Sequence, residues 1–153
     1  MLDGRHRPRR ALRTAMESTK IRIEVVVDAP PEKVWECWTA ADHITKWNAA
    51  SDDWHTPWAT NDLRVGGAYR FRMEARDGSA GFDFGGTYTL VNPRERLQSR
   101  LEDGRHVDVR FLPEGSGVRV VEEFETEQSN SPELQRRGWQ AILDNFRKYV
   151  EAR

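Results

Sequence analysis

The sequence is 153 residues long, 37% hydrophobic and 32% charged, with a formal net charge of -1. That length fits a single domain, and six Trp, six Phe and three Tyr argue against disorder, because disordered chains are poor in aromatic residues. With no aliphatic run longer than Val25-Val26-Val27, a lone cysteine (Cys37) and no net basic charge, the composition excludes a bilayer-spanning helix, an internal disulfide and a chain-wide nucleic-acid surface.

Met1–Thr19 stands apart. It carries Arg5, Arg7, Arg9, Arg10 and Arg13 against Asp3 and Glu17, a balance of +3, and leaves -4 on the other 134 residues. It has no aromatic residue and no alternation, so residues 1–19 read as a disordered basic extension and 20–153 as the domain. A basic arm for nucleic acid or membrane, or an Arg-rich targeting peptide, is the alternative. Without an apolar signal-peptide core, the expectation is a cytoplasmic, reducing environment.

From Lys20 the pattern becomes regular. Ile21, Ile23, Val25 and Val27 alternate with Arg22, Glu24 and Val26, the signature of a half-buried strand. Asp28-Ala29-Pro30-Pro31 ends it and opens a helix, with Glu32 in the first turn. Val34, Cys37, Trp38 and Ala41 recur at helical spacing, and a second short helix covers Ala41–Trp47. Asn48–Asn61 shows no regular period and reads as a long loop carrying Trp54, His55, Pro57 and Trp58.

Five strands are expected next. Tyr69, Phe71 and Met73 share one face of the first. Phe82, Phe84, Tyr88 and Leu90 share one face of the second, with a bulge or bend expected at Gly85-Gly86. Leu97, Ser99 and Leu101 form a weaker strand. Asp103-Gly104 signals a hairpin with a type I′ turn, after which Val107, Val109 and Phe111 alternate. Beyond Glu114-Gly115-Ser116-Gly117 the last strand carries Val118, Val120 and Phe124. Ser131-Pro132-Glu133 then reads as N-cap, first-turn proline and first-turn acid of a helix running to Glu151. Its apolar stripe is Leu134, Trp139, Ile142, Leu143, Phe146, Tyr149 and Val150. The order implies an α+β fold, with an antiparallel sheet of about six strands wrapped on the final helix.

Four segments carry a resemblance. They are Val27-Asp28-Ala29-Pro30-Pro31-Glu32-Lys33-Val34-Trp35, Ala41-Asp42-His43-Ile44-Thr45-Lys46-Trp47, Asn61-Asp62-Leu63-Arg64-Val65-Gly66-Gly67 and Gly138-Trp139-Gln140-Ala141-Ile142-Leu143-Asp144-Asn145-Phe146. In this order the chain resembles the START-like, helix-grip superfamily (SRPBCC), and within it domains similar to the C-terminal domain of the heat-shock chaperone ATPase activator. The resemblance implies a curved sheet gripping the C-terminal helix, with a cavity that commonly takes an apolar small molecule. A filled core is the alternative. The superfamily spans lipid carriers, polyketide cyclases, hormone receptors and chaperone regulators, so fold does not decide function.

The expected lining of such a cavity is Tyr69, Phe71, Met73, Phe82, Phe84 and Phe111 from the sheet, with Trp139 and Leu143 from the helix. Trp47, Trp54 and Trp58 are read either as a rim over its mouth or as anchors of the loop to the core. Glu122 shares the period-two face of Val118, Val120 and Phe124. An inward carboxyl there has its pKa raised and can meet a ligand's polar end; a one-residue register slip would instead turn it to solvent, and an arginine partner is a third option.

Asp52, Asp53 and His55 lack metal-ligand spacing and read as a polar loop. Cys37 reads as a small core hydrophobe, and His106 as exposed. No nucleophile elbow, metalloprotease helix, phosphate loop or dinucleotide fingerprint is present, so no cofactor, metal or catalytic residue is assigned. The leading expectation is a binding module for an apolar or aromatic small molecule, monomeric or homodimeric, without nucleic-acid or membrane partners. A chaperone or another protein as partner, and a cyclase-like enzyme using an inward acid, are the alternatives.

Overall fold

A computed structural model describes residues 19–153. The expected basic extension therefore falls, but for Thr19, outside the described residues. Strand β1 (Lys20–Val27) alternates exposed and buried positions without a break, as its sequence dictates. Burying Ile21, Ile23, Val25 and Val27 contributes about 1.5–3 kcal/mol each. Helix α1 (Pro31–Thr39) begins with proline at its first position and leads through Ala40 directly into α2 (Ala41–Trp47).

The next element departs from expectation. Trp54–Asn61 is a strand, β2, rather than a loop. It pairs with β3 (Ala68–Ala75) at one edge of the sheet, and a register shift between His55 and Trp58 erases the period-two signal. Thr56 is buried, donating to the Asn48 carbonyl at 2.6 Å, while Pro57 and Trp58 are exposed. The sheet thus has seven strands, adding β4 (Gly81–Asn92), β5 (Arg96–Leu101), β6 (His106–Glu114) and β7 (Gly117–Glu125). All pairs are antiparallel, in the order β1-β7-β6-β5-β4-β3-β2. The sheet curls into a half-barrel around the last helix, α3 (Pro132–Glu151).

Two local expectations are corrected. Register runs unbroken through Gly85-Gly86, and the bulge lies one turn of the pleat later, between Tyr88 and Leu90. It flips parity, so Val91, opposite buried Leu97, packs on the core. Gly86 serves a different need: a Cβ there would stand 2.9 Å from the Tyr69 hydroxyl and 2.6 Å from the Arg100 carbonyl. The Asp103-Gly104 hairpin forms, but not with a type I′ turn. Gly104 has φ +95°, Asp103 does not have positive φ, and the Gly104 N–H reaches the Leu101 carbonyl at 2.9 Å. This is the three-residue loop in which a type I turn is followed by a left-handed glycine.

Helix α3 starts and ends where its caps place it. Ser131 Oγ accepts from the Leu134 N–H at 3.1 Å. Ser131→Ala is expected to lower stability by about 1 kcal/mol in a urea titration, with an unchanged midpoint refuting the cap's contribution. Leu134, expected in the apolar stripe, is 52% exposed, and Gln135 is buried in its place. Two side chains of α3 also reach the outer edge of β1: Arg136 donates to the Arg22 carbonyl at 3.1 Å and Gln140 to the Glu24 carbonyl at 3.3 Å.

The core has two ends of different character. Towards the C-terminus of α3, Phe146 is fully buried and sits edge-on to Trp38 and Trp47, at 4.9 and 4.8 Å between ring centroids. Val34, Cys37, Ile44 and Val150 belong to the same buried cluster. Towards the N-terminus of α3, the helix is held off β3, β4 and β5 and a space opens beneath it.

Candidate functional site

That space is a cavity of about 390 Å³ between the concave sheet and α3, within the usual size of small-molecule sites. The helix contributes Gly138, Trp139, Ile142 and Leu143; the sheet contributes the aromatic row Tyr69, Phe71, Phe82, Phe84 and Tyr88. Met73 lines it as well, and Trp38 and Trp47 close it from the α1–α2 side. Trp139 lies flat on Phe124, 3.9 Å between centroids and 10° between planes. It meets Phe84 edge-on at 5.8 Å, so the roof of the cavity is braced by stacked rings.

Several expected residues thus meet at one place: Trp47, Tyr69, Phe71, Met73, Phe82, Phe84, Glu122, Trp139 and Leu143 all line the cavity. Three do not. Phe111 faces inward as its parity requires, yet it lies at the filled end, edge-on to Trp35 and Trp38 at 5.4 and 5.8 Å. Trp58 stands opposite Arg72, on the sheet face away from the cavity, and is 43% exposed. Trp54 touches the site only through Phe82, with centroids 6.0 Å apart. Trp47 is buried, and its Nε1 donates to the Cys37 carbonyl at 2.9 Å. It is a wall pinned to the core rather than a rim.

Glu122 is opposite Ile23 on β1 and Val109 on β6, both buried. The register is therefore the inward one, with no slip. No hydrogen bond or ion pair to Glu122 is found among the described residues, so the arginine-partner option falls away. Glu122 as a residue is half-buried, and it lines the cavity. Removal from bulk water pushes its pKa up to about 8, because burial penalises the charged form. At neutral pH the group is chiefly the neutral acid.

Of the remaining polar lining, Tyr69 was an expected site residue, whereas Tyr88, Ser99 and Gln135 were not. Tyr69 shares a 2.9 Å hydrogen bond with Ser99, and burial pushes its phenol up to about 12. Tyr88 donates to Asn61 Oδ1 at 2.6 Å, and Asn61 in turn donates to the Thr39 carbonyl at 2.7 Å, tying edge strand β2 to α1. Burial raises the Tyr88 phenol too. At the mouth, buried Gln135 accepts from the Glu127 N–H at 2.9 Å and donates to the Glu127 and Asn130 carbonyls at 3.0 and 2.8 Å. A signal for Gln135 existed, since it lies four residues before Trp139 and eight before Leu143 on one helical face.

Among the described residues no group of three His, Cys, Asp or Glu side chains could hold a metal, and no helix is long and apolar enough to cross a membrane. Cys37 is buried, and burial raises its thiol pKa. His106 is exposed.

Comparisons with known proteins agree with this architecture. An AHSA1-like protein from Aeromonas hydrophila is 51% identical, with a TM-score of 0.83 over 88% of this chain and 93% of that one. A protein from Cytophaga hutchinsonii is 46% identical, with a TM-score of 0.76 over 87% and 92%. One from Chromobacterium violaceum is 26% identical, also with a TM-score of 0.76, over 87% and 98%. No curated protein matches. The family model described as Activator of Hsp90 ATPase homolog 1-like protein matches residues 28–151, and with the helix-grip fold in place around its cavity, the chain belongs to that family.

Proposed function

We propose that this domain holds an apolar or aromatic small molecule in the cavity under the N-terminal half of α3. The observation that carries the reading is the contrast between the two ends of one core. Phe146 and its neighbours fill their end completely, whereas Trp139, Phe84, Tyr69 and Leu143 surround about 390 Å³ that no side chain occupies. Close packing is the default for protein interiors, and a void of this size forfeits contacts along its whole wall. A ligand restores them, and aromatic faces suit a flat apolar one.

Gly138 offers a direct test. It lines the cavity, and a Cβ added there meets nothing within 4 Å. Gly138→Leu therefore puts bulk into the cavity from a helical position where leucine is favoured over glycine by up to about 1 kcal/mol. Titration with the neutral apolar dye Nile red, read by its fluorescence, is expected to saturate in the wild-type protein. The variant should bind at least tenfold more weakly while melting no lower. Absence of saturable binding to wild type, or binding indifferent to Gly138→Leu, would refute the reading.

A further inference from the structure

The titratable groups around the cavity are not equivalent. Arg105, at the mouth, has its guanidinium committed to Asp103 Oδ2 at 2.8 Å and to the Glu125 carbonyl at 3.2 Å. The Glu127 carboxylate accepts from the Asn130 backbone N–H at 2.7 Å and from its side-chain amide at 3.4 Å. Tyr69 and Tyr88 are satisfied by Ser99 and Asn61. Glu122 is the exception, with no such partner among the described residues. What faces it from β1 is Ile23 and from β6 Val109. The helix side of the cavity offers Gly138, Trp139, Ile142 and Leu143, none of which titrates. Tyr69, on β3, is the titratable group that feels its charge.

We propose that the cavity takes a hydrophobic amine, with a ring-bearing apolar body enclosed by the aromatic walls and one ammonium group set against the Glu122 carboxyl. This rests on the ligand-binding reading above. Three features select that class. Once ionised, the unpartnered Glu122 carboxyl is an acceptor pair, and the N–H groups of an ammonium can satisfy its oxygens. Trp38, Trp47, Tyr69, Phe84, Tyr88 and Trp139 line the same cavity, and the negative face of an aromatic ring attracts a cation. The lining cation, Arg105, is already paired with Asp103, so a carboxylate ligand finds no free cation there and is repelled once Glu122 ionises.

The proton balance is explicit. A primary ammonium keeps its proton to about pH 10, so pairing with it requires Glu122 to ionise. The carboxyl O–H proton leaves to bulk buffer, and N–H groups of the ligand take its place on the two oxygens. Binding one amine near neutral pH therefore releases close to one proton. Apparent affinity scales with the ionised fraction of Glu122.

The test is isothermal titration calorimetry on the full chain with three matched indoles: tryptamine, the neutral alcohol tryptophol, and indolepropionate. Runs at about pH 6 and about pH 8, in buffers of differing ionisation heat, count the protons released. Tryptamine is expected to bind at least tenfold tighter than either analogue at the higher pH. Its affinity should drop on the order of fiftyfold at the lower one, following the ionised fraction. In Glu122→Gln both the preference over tryptophol and the pH slope should vanish. Tryptamine binding no tighter than tryptophol, with no proton release, overturns the amine assignment and leaves the cavity reading standing; so does tryptophol or Nile red binding where tryptamine does not. Failure of every probe, Nile red included, overturns both.

Discussion

Ligand-free Glu122→Gln protein is expected to match the wild type in stability near pH 4 and to exceed it by on the order of 3 kcal/mol near pH 9. Glutamine reproduces the shape of the neutral acid without its ability to ionise. In the folded protein the carboxyl pKa is raised from 4.5 to about 8, whereas in the unfolded chain it keeps its ordinary value. Between those two values the folded state holds a proton that the unfolded state has lost. Stability from this group is thus fully present below the lower value, falls as pH rises and levels off above about 8. Each pKa unit is worth about 1.4 kcal/mol, and water entering the cavity relieves part of the penalty, which sets the figure of about 3 rather than the full product. Paired chemical-denaturation curves up to pH 9 measure the difference directly, since Tyr69, which feels the Glu122 charge, titrates only at about 12. Parallel curves, with no divergence above pH 5, would show that the carboxyl is hydrated in the folded state.

Truncating the filled end should be at least as costly. Phe146→Ala is expected to destabilise the protein by about 3–5 kcal/mol, the range for a buried aromatic whose site cannot collapse. Its ring touches both Trp38 and Trp47 edge-on, and each such pair adds about 0.5–1.5 kcal/mol beyond burial. Trp47 is further fixed by its bond to Cys37, and Asn145 holds the Trp47 carbonyl at 2.8 Å, so the neighbours cannot move in to fill the gap. Urea unfolding of the variant checks the value; a loss below about 1.5 kcal/mol would place the site among those that repack. Because Trp47 forms both the Phe146 contact and a cavity wall, the same substitution should loosen any ligand's grip.

Much of this was legible in the residues, and the failures have identifiable causes. β1 and α3 were plain because each carries one uninterrupted period with chemical punctuation: alternation to Val27, and Ser131-Pro132 before the final stripe. Parity raised Glu122 as an inward candidate, but a one-residue slip stayed open until pairing with Ile23 and Val109 fixed the register. β2 was missed because it is an edge strand with a register shift between His55 and Trp58, and a proline in its middle. Phe111 shows a different limit. Parity states which face a residue occupies but not which end of that face, and here one end is filled while the other is open. Leu134 and Gln135 exchanged roles because hydrogen bonding to Glu127 and Asn130 satisfies the amide in the interior, and side-chain type alone does not reveal such a partner.

The two borders of the sheet bear on how this molecule avoids its own kind. An unprotected outer strand is a template on which further chains can add by backbone pairing, the first step towards fibrils. On β1 the carbonyls of Arg22 and Glu24 are already engaged by Arg136 and Gln140. On β2, Pro57 has no N–H to offer, and the neighbouring register shift twists the strand out of line. One border is covered and the other is spoiled for pairing. Both borders thus carry features that disfavour growth by strand addition.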